Sequence, residues 1–315
     1  MSLPTNDKGM ALLIVLAIVA LLSALLIEFS FSTLVDLRSV ETFRDRSKSY
    51  YIARGGVEAA RIILQEDRNN FDHPSEFWGE PLAGIPVGDG DVSLKIEDLS
   101  GRMNINFVAD ERGNPLPGYH RFVALCEEVL QIDSGEALAL ADALVNWFHS
   151  DLEVVTADDD FYNRQTPPYS RRGAKLTALD ELLLVRGFDE ETVSALSPYI
   201  RVVGDEPINI NTAPAQVLLA WQYSAAAGNV AIIFDRLDID MLIQYRENTP
   251  FRELADLAQV EGIGPRWATA WTQGSVTVQG KVYQVESLGR VNQGGRRAQA
   301  IVAKQGNILL SLKME

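Results

Sequence analysis

The sequence predicts an α+β protein in which a long N-terminal helix packs on an antiparallel sheet and a large all-α domain is inserted between strands. Three observations lead to this fold class. No proline interrupts the helical pattern between Met10 and Asp72. Alternating apolar residues typical of strands occur at residues 92–107 and again after Gly274, and the residues between have helical spacing. The 315 residues are enough for two domains with separate cores.

The first element is an apolar run at residues 10–27, broken only by the small Ser23. As a helix this run is about 27 Å long, enough to span a bilayer core of roughly 30 Å. A polar leader at residues 1–9, ending in Lys8-Gly9, precedes it, and no small-x-small cleavage site follows it. Cleavage between Gly9 and Met10 would leave the hydrophobic helix on the mature chain. The arrangement resembles a type IV prepilin leader, with a plain signal anchor as the alternative.

The helical pattern continues beyond the membrane segment, which we place at residues 10–30. Residues 50–64 are amphipathic, so one helix of about 80 Å is predicted from Met10 to about Gln65. Gly55-Gly56 is expected to kink this helix or to allow close packing. In a pilin-like protein the first half of such a helix packs with other subunits, and the second half lies against a sheet.

Strand patterns lie on either side of the helical block. Residues 69–91 are rich in Pro, Gly and acidic residues and predict a loop. Residues 92–97 predict a strand, and Met103, Ile105 and Phe107 predict a second strand that forms a hairpin with it. Later strands are predicted at 276–278, 282–288, 297–302 and 308–312, with a turn at 292–295. Residues 31–110 and 273–315 are therefore expected to form one pilin-like α/β domain.

Residues 111–272 predict the inserted all-α domain. Amphipathic helices are expected at 122–130 and 136–148, followed by an acidic loop at 151–163. A pattern L-x-x-L-x-x-V-x-G then occurs twice, 75 residues apart, at Leu179, Leu182, Val185 and Gly187 and at Leu254, Leu257, Val260 and Gly262. Since glycine allows a tight turn after a helix, the repeat predicts two helix-hairpin-helix, SAM-like units.

Charge argues against nucleic acid as a partner. The hairpin pattern near Gly262 looks like the tandem form in membrane-tethered DNA receptors of competence systems, which is the alternative function. However, the formal net charge is −15, and residues 207–272 contain four arginines, no lysine and seven acidic residues. Such a surface repels a phosphate backbone.

Catalytic patterns are absent from the sequence. It contains no G-x-S-x-G, H-E-x-x-H or P-loop pattern, and its three histidines lack metal-ligand spacing. The lone Cys126 lies among apolar residues and is expected to be buried and inert. Residues 151–160 hold five carboxylates, which fit either a solvated loop or a calcium site. We expect a protein that is not an enzyme.

Several segments, in their order along the chain, resemble the K subunit of type II secretion systems, the GspK-like minor pseudopilins. They are residues 8–12, 50–58, 98–106, 147–162 and 209–213. The resemblance implies a structural tip protein that caps the pseudopilus with the I and J minor pseudopilins and contacts the major pseudopilin. It also implies cleavage by a prepilin peptidase, methylation of Met10, a single inner-membrane helix and a periplasmic body. The tip protein of another pilus-like filament is a further alternative.

Two site features also follow from the resemblance. Most pilin-like subunits carry glutamate at the fifth mature residue. This chain has Ile14 there and so lacks the acid, as K-type subunits do. The family further implies Ca²⁺ in the helical domain, with Asp151, Asp158, Asp159 and Asp160 at its acidic positions. His149 and Thr156 depart from the family pattern.

Overall fold

The computed structural model describes residues 7–151, 153, 155, 158–222, 234–271 and 274–315. In chain order its helices and strands are α1 (Asp7–Glu66), β1 (Leu82–Val87), β2 (Gly90–Asp98), β3 (Met103–Asn104), α2 (Pro117–Leu130), α3 (Ser134–Phe148), α4 (Asp159–Asn163), α5 (Glu190–Leu196), β4 (Ile200–Arg201), β5 (Ile208–Asn209), α6 (Ala215–Trp221), α7 (Arg236–Asn248), α8 (Trp267–Ala270), β6 (Val276–Thr277), β7 (Val282–Val291), β8 (Gly294–Ala303) and β9 (Ile308–Met314). Short 3₁₀ helices lie at Phe77–Gly79, Leu99–Gly101, Ile105–Phe107, Leu179–Leu184, Leu254–Gln259, Gly264–Arg266 and Gln305–Asn307.

Helix α1 confirms the long helix that the sequence predicts. It has 60 residues and is therefore about 90 Å long. Every residue from 10 to 44 is exposed, whereas the part from Asp45 onward lies on the sheet. More than half of the helix thus projects away from the folded body.

The sheet is antiparallel throughout and has the strand order β1-β2-β7-β8-β9. The second half of α1 packs on one face of this sheet. Four apolar helix residues, at most 1% exposed, recur at intervals of three and four and form the contact, as an amphipathic helix requires: Ala53, Val57, Ala60 and Leu64. They pack with sheet residues that include Leu94, Val285 and Ala300.

Gly56 lets α1 approach the sheet closely. A Cβ atom at this position would lie 2.1 Å from Ser287 Oγ and 2.9 Å from Val92 Cγ2, inside van der Waals contact. A Cβ at Gly55 would meet nothing within 4 Å. Of the two roles predicted for the pair, the structure shows close packing, at Gly56, in an uninterrupted helix.

Two predictions between α1 and the helical block are wrong. Residues 82–87, predicted as loop, form β1, an edge strand in which Pro86 is tolerated because one side has no ladder partner. The predicted hairpin of residues 92–97 and 103–107 does not form. Asp98 and Asn104 side chains accept backbone N–H groups two residues ahead, at 2.7 and 3.1 Å, and turn the chain into 3₁₀ helices.

The strands predicted at 92–97, 282–288, 297–302 and 308–312 are confirmed as β2, β7, β8 and β9. β2 and β7 are direct neighbours, with Asp98 opposite Tyr283. The chain therefore leaves the sheet after Asp98 and returns to the adjacent position at Val282. The intervening residues hold α2 to α8 and two short parallel pairs, β3 with β4 and β5 with β6. The strand predicted at 276–278 is β6, outside the main sheet.

The residues between β2 and β7, which we call the helical block, contain the same hydrogen-bond arrangement twice. The first half lies between β3 and β4 in sequence, and the second half between β5 and β6. In the first half, Asn106 Nδ2 donates to the carbonyl of Leu176 at 2.9 Å and its Oδ1 accepts from the N–H of Leu176 at 2.8 Å. In the second half, Asn211 makes the same two bonds with Phe251, at 2.8 and 3.0 Å. In sequence, the two residues of each hydrogen-bonded pair lie between the two short strands of their half.

The repeated L-x-x-L-x-x-V-x-G pattern occupies equivalent positions in these halves. Its second leucines, Leu182 and Leu257, are both fully buried. The glycines Gly187 and Gly262 have φ of 87° and 79°, a left-handed conformation that favours glycine. The segment before each glycine is a 3₁₀ helix rather than the predicted α-helix, while α5 and α8 follow the glycines.

Candidate functional site

The predicted processing site lies within α1. Gly9 is partly exposed and Met10 is 61% exposed, and both continue a helix that begins at Asp7. The rest of the predicted leader, residues 1–6, lies outside the described residues. Within α1, an 18-residue window has a mean hydropathy of 3.2, with none of it buried in the protein. Its length and composition suit a membrane span.

Ile14 lies in this apolar part of α1 and is 56% exposed. After Asp7, the next acidic residue of the helix is Glu28, so the apolar segment offers no carboxylate. An apolar side chain cannot neutralise a buried amine of a neighbouring subunit. The helix also keeps an exposed face beyond the apolar segment, opposite the sheet.

We call this surface the outer face of α1 and define it by Val40, Tyr51, Gly55 and Ile62, which lie on one side of the helix. Val40, Tyr51 and Ile62 are 65%, 69% and 60% exposed. The open space at Gly55 leaves the backbone accessible between the larger side chains. Small residues at such positions permit two helices to approach closely.

The acidic segment, residues 151–163, follows α3. Asp158 is 3% exposed and accepts from Asn146 Nδ2 at 2.9 Å and from Arg186. Asp159 accepts from Nη1 of Arg171 with both oxygens, at 2.6 and 2.7 Å. These two predicted calcium ligands therefore contact cationic side chains.

The other two predicted ligands lie apart from that pair of contacts. Asp151 is exposed, and its Oδ1 accepts from the N–H of Glu153 at 3.0 Å. The Asp160 side chain is 85% exposed, 3.7 Å from Arg164. Among the described residues, the four carboxylates do not form a group that shares one ion-sized space. A calcium ion needs six to eight oxygens around one centre, and the four carboxylates, as the described residues place them, do not converge on such a centre.

Sequence reasoning missed a second group of acids, next to the sheet. Asp67, Asp72 and Glu76 each place a carboxylate oxygen within 4.8 Å of the others. Lys304 Nζ lies between two of them, 2.8 Å from Asp67 and 2.6 Å from Asp72. Because Lys304, directly after β8, lies more than 200 residues away in sequence, no local pattern could indicate this ion pair.

Asp72 also joins the sheet to the second helical half. Tyr283 Oη donates to it at 2.5 Å and the N–H of Gly280 at 2.8 Å. Burial raises the pKa of Asp72 to about 6 even though these groups and Lys304 favour its charged form. Asn209 Nδ2 donates both to the Asp72 carbonyl, at 3.0 Å, and to the carboxylate of Asp98, at 2.8 Å. These contacts fix where the helical block sits on the sheet.

The second hairpin does not present its arginine for phosphate binding. Arg266 Nη2 donates to Asp238 Oδ1 at 3.1 Å and to the carbonyl of Gly262. The side chain therefore folds back on its own hairpin. Cys126 is buried, as predicted, and burial raises the pKa of its thiol.

A long helix, apolar and exposed at its start and packed on an antiparallel sheet at its end, gives the described residues a pilin-like fold. The helical block between adjacent strands distinguishes it from a minimal helix-and-sheet protein. The family model of type II secretion system (T2SS) protein K matches residues 101–205. That match covers the first half of the helical block.

Curated relatives and a solved structure agree with the family match. The type II secretion system proteins K of Aeromonas hydrophila and Pseudomonas aeruginosa are each 27% identical to this chain. These alignments cover 75% and 68% of this chain and 73% and 68% of the relatives. The fold is similar to a chain of the GspK-GspI-GspJ complex from enterotoxigenic Escherichia coli, with a TM-score of 0.62 and 17% identity over 90% of this chain and 99% of that chain. The predicted resemblance to the K subunits, the GspK-like minor pseudopilins, is thus confirmed.

Proposed function

We propose that this protein is a structural minor pseudopilin at the tip of a type II secretion pseudopilus, where it helps to initiate and cap the filament. The observation that carries the proposal is α1, which continues from an exposed apolar segment into an exposed outer face on a K-like fold. The absence of an acid at Ile14 supports a place at the end of the filament. A subunit there has fewer neighbours whose amines need a carboxylate.

Processing is the first step of the proposed function. A prepilin peptidase cuts between Gly9 and Met10, Met10 is methylated, and α1 can then leave the membrane for the filament. We expect mass spectrometry of the protein from a peptidase-positive host to find an N-terminus at methylated Met10. Gly9→Phe should block both cleavage and secretion, whereas Ser23→Ala, within the apolar run, should leave both intact. Normal secretion by an uncut Gly9→Phe chain would refute the processing step.

The outer face of α1 is proposed to contact the I- and J-type minor pseudopilins, and the assembled tip the major pseudopilin. The neighbouring GspK structure is itself named as a complex with GspI and GspJ. A bulky side chain at Gly55 would hold a partner helix away, so Gly55→Trp should abolish co-purification of the full-length protein with those partners. Gly295 also has open space around it but lies in β8, and Gly295→Trp should not affect co-purification. Equal partner recovery with both variants would contradict this docking face.

The proposed location is supported by the one helix, among the described residues, that is long and apolar enough to span a membrane. We propose that α1 anchors the chain in the inner membrane and that the sheet and helical block lie in the periplasm. A reporter that is active only outside the cytoplasm, fused after Glu315, should be active. An inactive reporter on a stable fusion would reverse the orientation.

We further propose that the protein has no catalytic activity and does not bind nucleic acid. The inward contacts of Arg266 and the charge of −15 support the second point. A gel shift of duplex DNA at low salt would favour the competence-type alternative. The tip of another pilus-like filament stays an alternative as well, and co-purification with that system's pilins would identify it.

A further inference from the structure

We infer that two arginines, Arg171 and Arg186, rather than a calcium ion neutralise the acidic segment of this chain. The two guanidinium groups together carry the same charge as one Ca²⁺ ion. Each lies against one of the two aspartates that open α4, Asp158 and Asp159. The proposal concerns only how this segment is held and does not depend on the proposed function.

Arg171 is the central contact. Its side chain is 2% exposed and its Nη1 donates to both carboxylate oxygens of Asp159. Its Nη2 donates to the carbonyl of Asp151 at 2.6 Å, and its Nε to the carbonyl of His149 at 3.4 Å. One planar guanidinium therefore links the end of α3, the start of the acidic segment and the start of α4. Such a group is permanently charged and rigid, which suits a buried ion pair.

Arg186 neutralises the neighbouring carboxylate. It donates to Oδ1 of Asp158, whose Oδ2 accepts from Asn146 on α3. The Asp158 side chain is 4% exposed, so both of its oxygens are paired inside the protein. The charge-assisted bonds satisfy this carboxylate without a metal.

A backbone hydrogen bond anchors the segment that carries Arg171. The N–H of Gly173 donates to the carbonyl of Trp147 at 3.1 Å, which ties the segment after Arg171 to the end of α3. His149, where the resembling family has an aspartate, places Nδ1 3.2 Å from the carbonyl oxygen of Asp151. An imidazole there offers no oxygen to a calcium ion, which prefers oxygen ligands.

The test is thermal unfolding of the full-length protein in detergent micelles, with EGTA and with excess CaCl₂. We expect the wild-type Tm to be the same in both. A calcium site in the presence of free Ca²⁺ at about a hundred times its Kd would raise the Tm by roughly 5–10 °C. Saturable calcium binding by calorimetry, or a Tm increase of that size, would overturn the proposal. This result stands on its own even if every variant fails to fold.

Variants test the arginine contacts directly. Arg171→Met leaves a carboxylate without its cation and should lower the Tm by roughly 5–15 °C. Arg164→Met is the control, because this side chain is 80% exposed and lies 3.7 Å from the 85% exposed Asp160, so its loss should matter far less. Asp159→Asn should also lower the Tm, and the double variant with Arg171→Met should lose less than the two single losses combined. A wild-type Tm for Arg171→Met would equally refute the role of this side chain.

Discussion

The adjacent glycines of α1 provide a matched pair of substitutions with opposite predicted effects. Replacing glycine by alanine inside a helix gains about 1 kcal/mol of stability from helix propensity. Gly55→Ala should show that gain, because its added methyl group meets nothing within 4 Å. The same change at Gly56 places the methyl group 2.1 Å from Ser287 Oγ.

The magnitude follows from the space at the contact. Carbon atoms pack at about 3.5–4.0 Å. The Ser287 hydroxyl can rotate away, but Val92 Cγ2 at 2.9 Å and Ser287 Cβ at 3.1 Å still lie too close to the new Cβ, so the side chains or the helix must move by roughly 0.5 Å. Overpacking of this kind costs about 1–3 kcal/mol. The propensity gain is common to both variants, so the difference between them isolates the clash. We expect Gly56→Ala to melt roughly 4–8 °C below Gly55→Ala.

The assay is thermal unfolding of both full-length variants and the wild type in the same detergent, followed by circular dichroism. Equal helical content at low temperature verifies that both variants fold. A Gly56→Ala protein that melts at or above the temperature of Gly55→Ala would refute the close approach of α1 to the sheet.

Three further predictions concern other buried contacts. Leu64→Ala should lower the free energy of unfolding by about 2–5 kcal/mol, because Leu64 is 1% exposed; Ile62→Ala, at 60% exposure, should change it by less than about 0.5 kcal/mol in a denaturant titration. Asn211→Ala should cost about 1–3 kcal/mol in the same titration, because it leaves a buried backbone N–H and C=O unpaired. Lys304→Met should destabilise the protein by up to about 3–5 kcal/mol, and this deficit should shrink as the pH falls from about 8 towards 6, because loss of the cation raises the pKa of Asp72 further and a protonated Asp72 needs no cation.

The sign of that pH effect can be checked against the pKa of Asp72. A folded-state pKa above the usual 3.8 means that the folded protein binds the proton more tightly than the unfolded chain. Lowering the pH through 6 therefore favours the folded state at this group. A Lys304→Met deficit that grows or stays constant as the pH falls from about 8 to about 6 would contradict it.

Elements with a long, regular apolar pattern could be predicted from the sequence. Helix α1 in its second half, strands β2, β7 and β8 and helices α2 and α3 each bury one face at a constant period, and that period is visible in the residues themselves. β1 could not be predicted in this way, because an exposed edge strand has no buried face and therefore no alternation. The strand predicted at residues 103–107 is wrong for a different reason, since its buried apolar residues do not lie in one continuous strand. Met103 and Ile105 are both buried, but the hydrogen bond that Asn104 Oδ1 accepts from the Asn106 N–H turns the backbone out of the extended conformation.

Candidate sites showed the same division. Gly9, Met10 and Ile14 lie in one continuous segment, so their relation could be predicted from the chain alone. Arg171 and Arg186 approach the aspartates from other segments, and the composition of residues 151–160 gives no indication of them. The composition of this segment fits either a solvated loop or a calcium site, and the fold places Arg171 and Arg186 against two of its aspartates.

The chain leaves the sheet at the end of β2 and returns at the start of the adjacent strand β7, so the helical block is inserted between two neighbouring strands. Asp98 pairs with Tyr283 on the neighbouring strand, and such partners have Cα atoms about 5 Å apart. A turn of a few residues can therefore join β2 directly to β7 without moving either strand. In such a chain the long helix and the five strands would keep their positions. Other domains could therefore be inserted between β2 and β7 in place of the helical block.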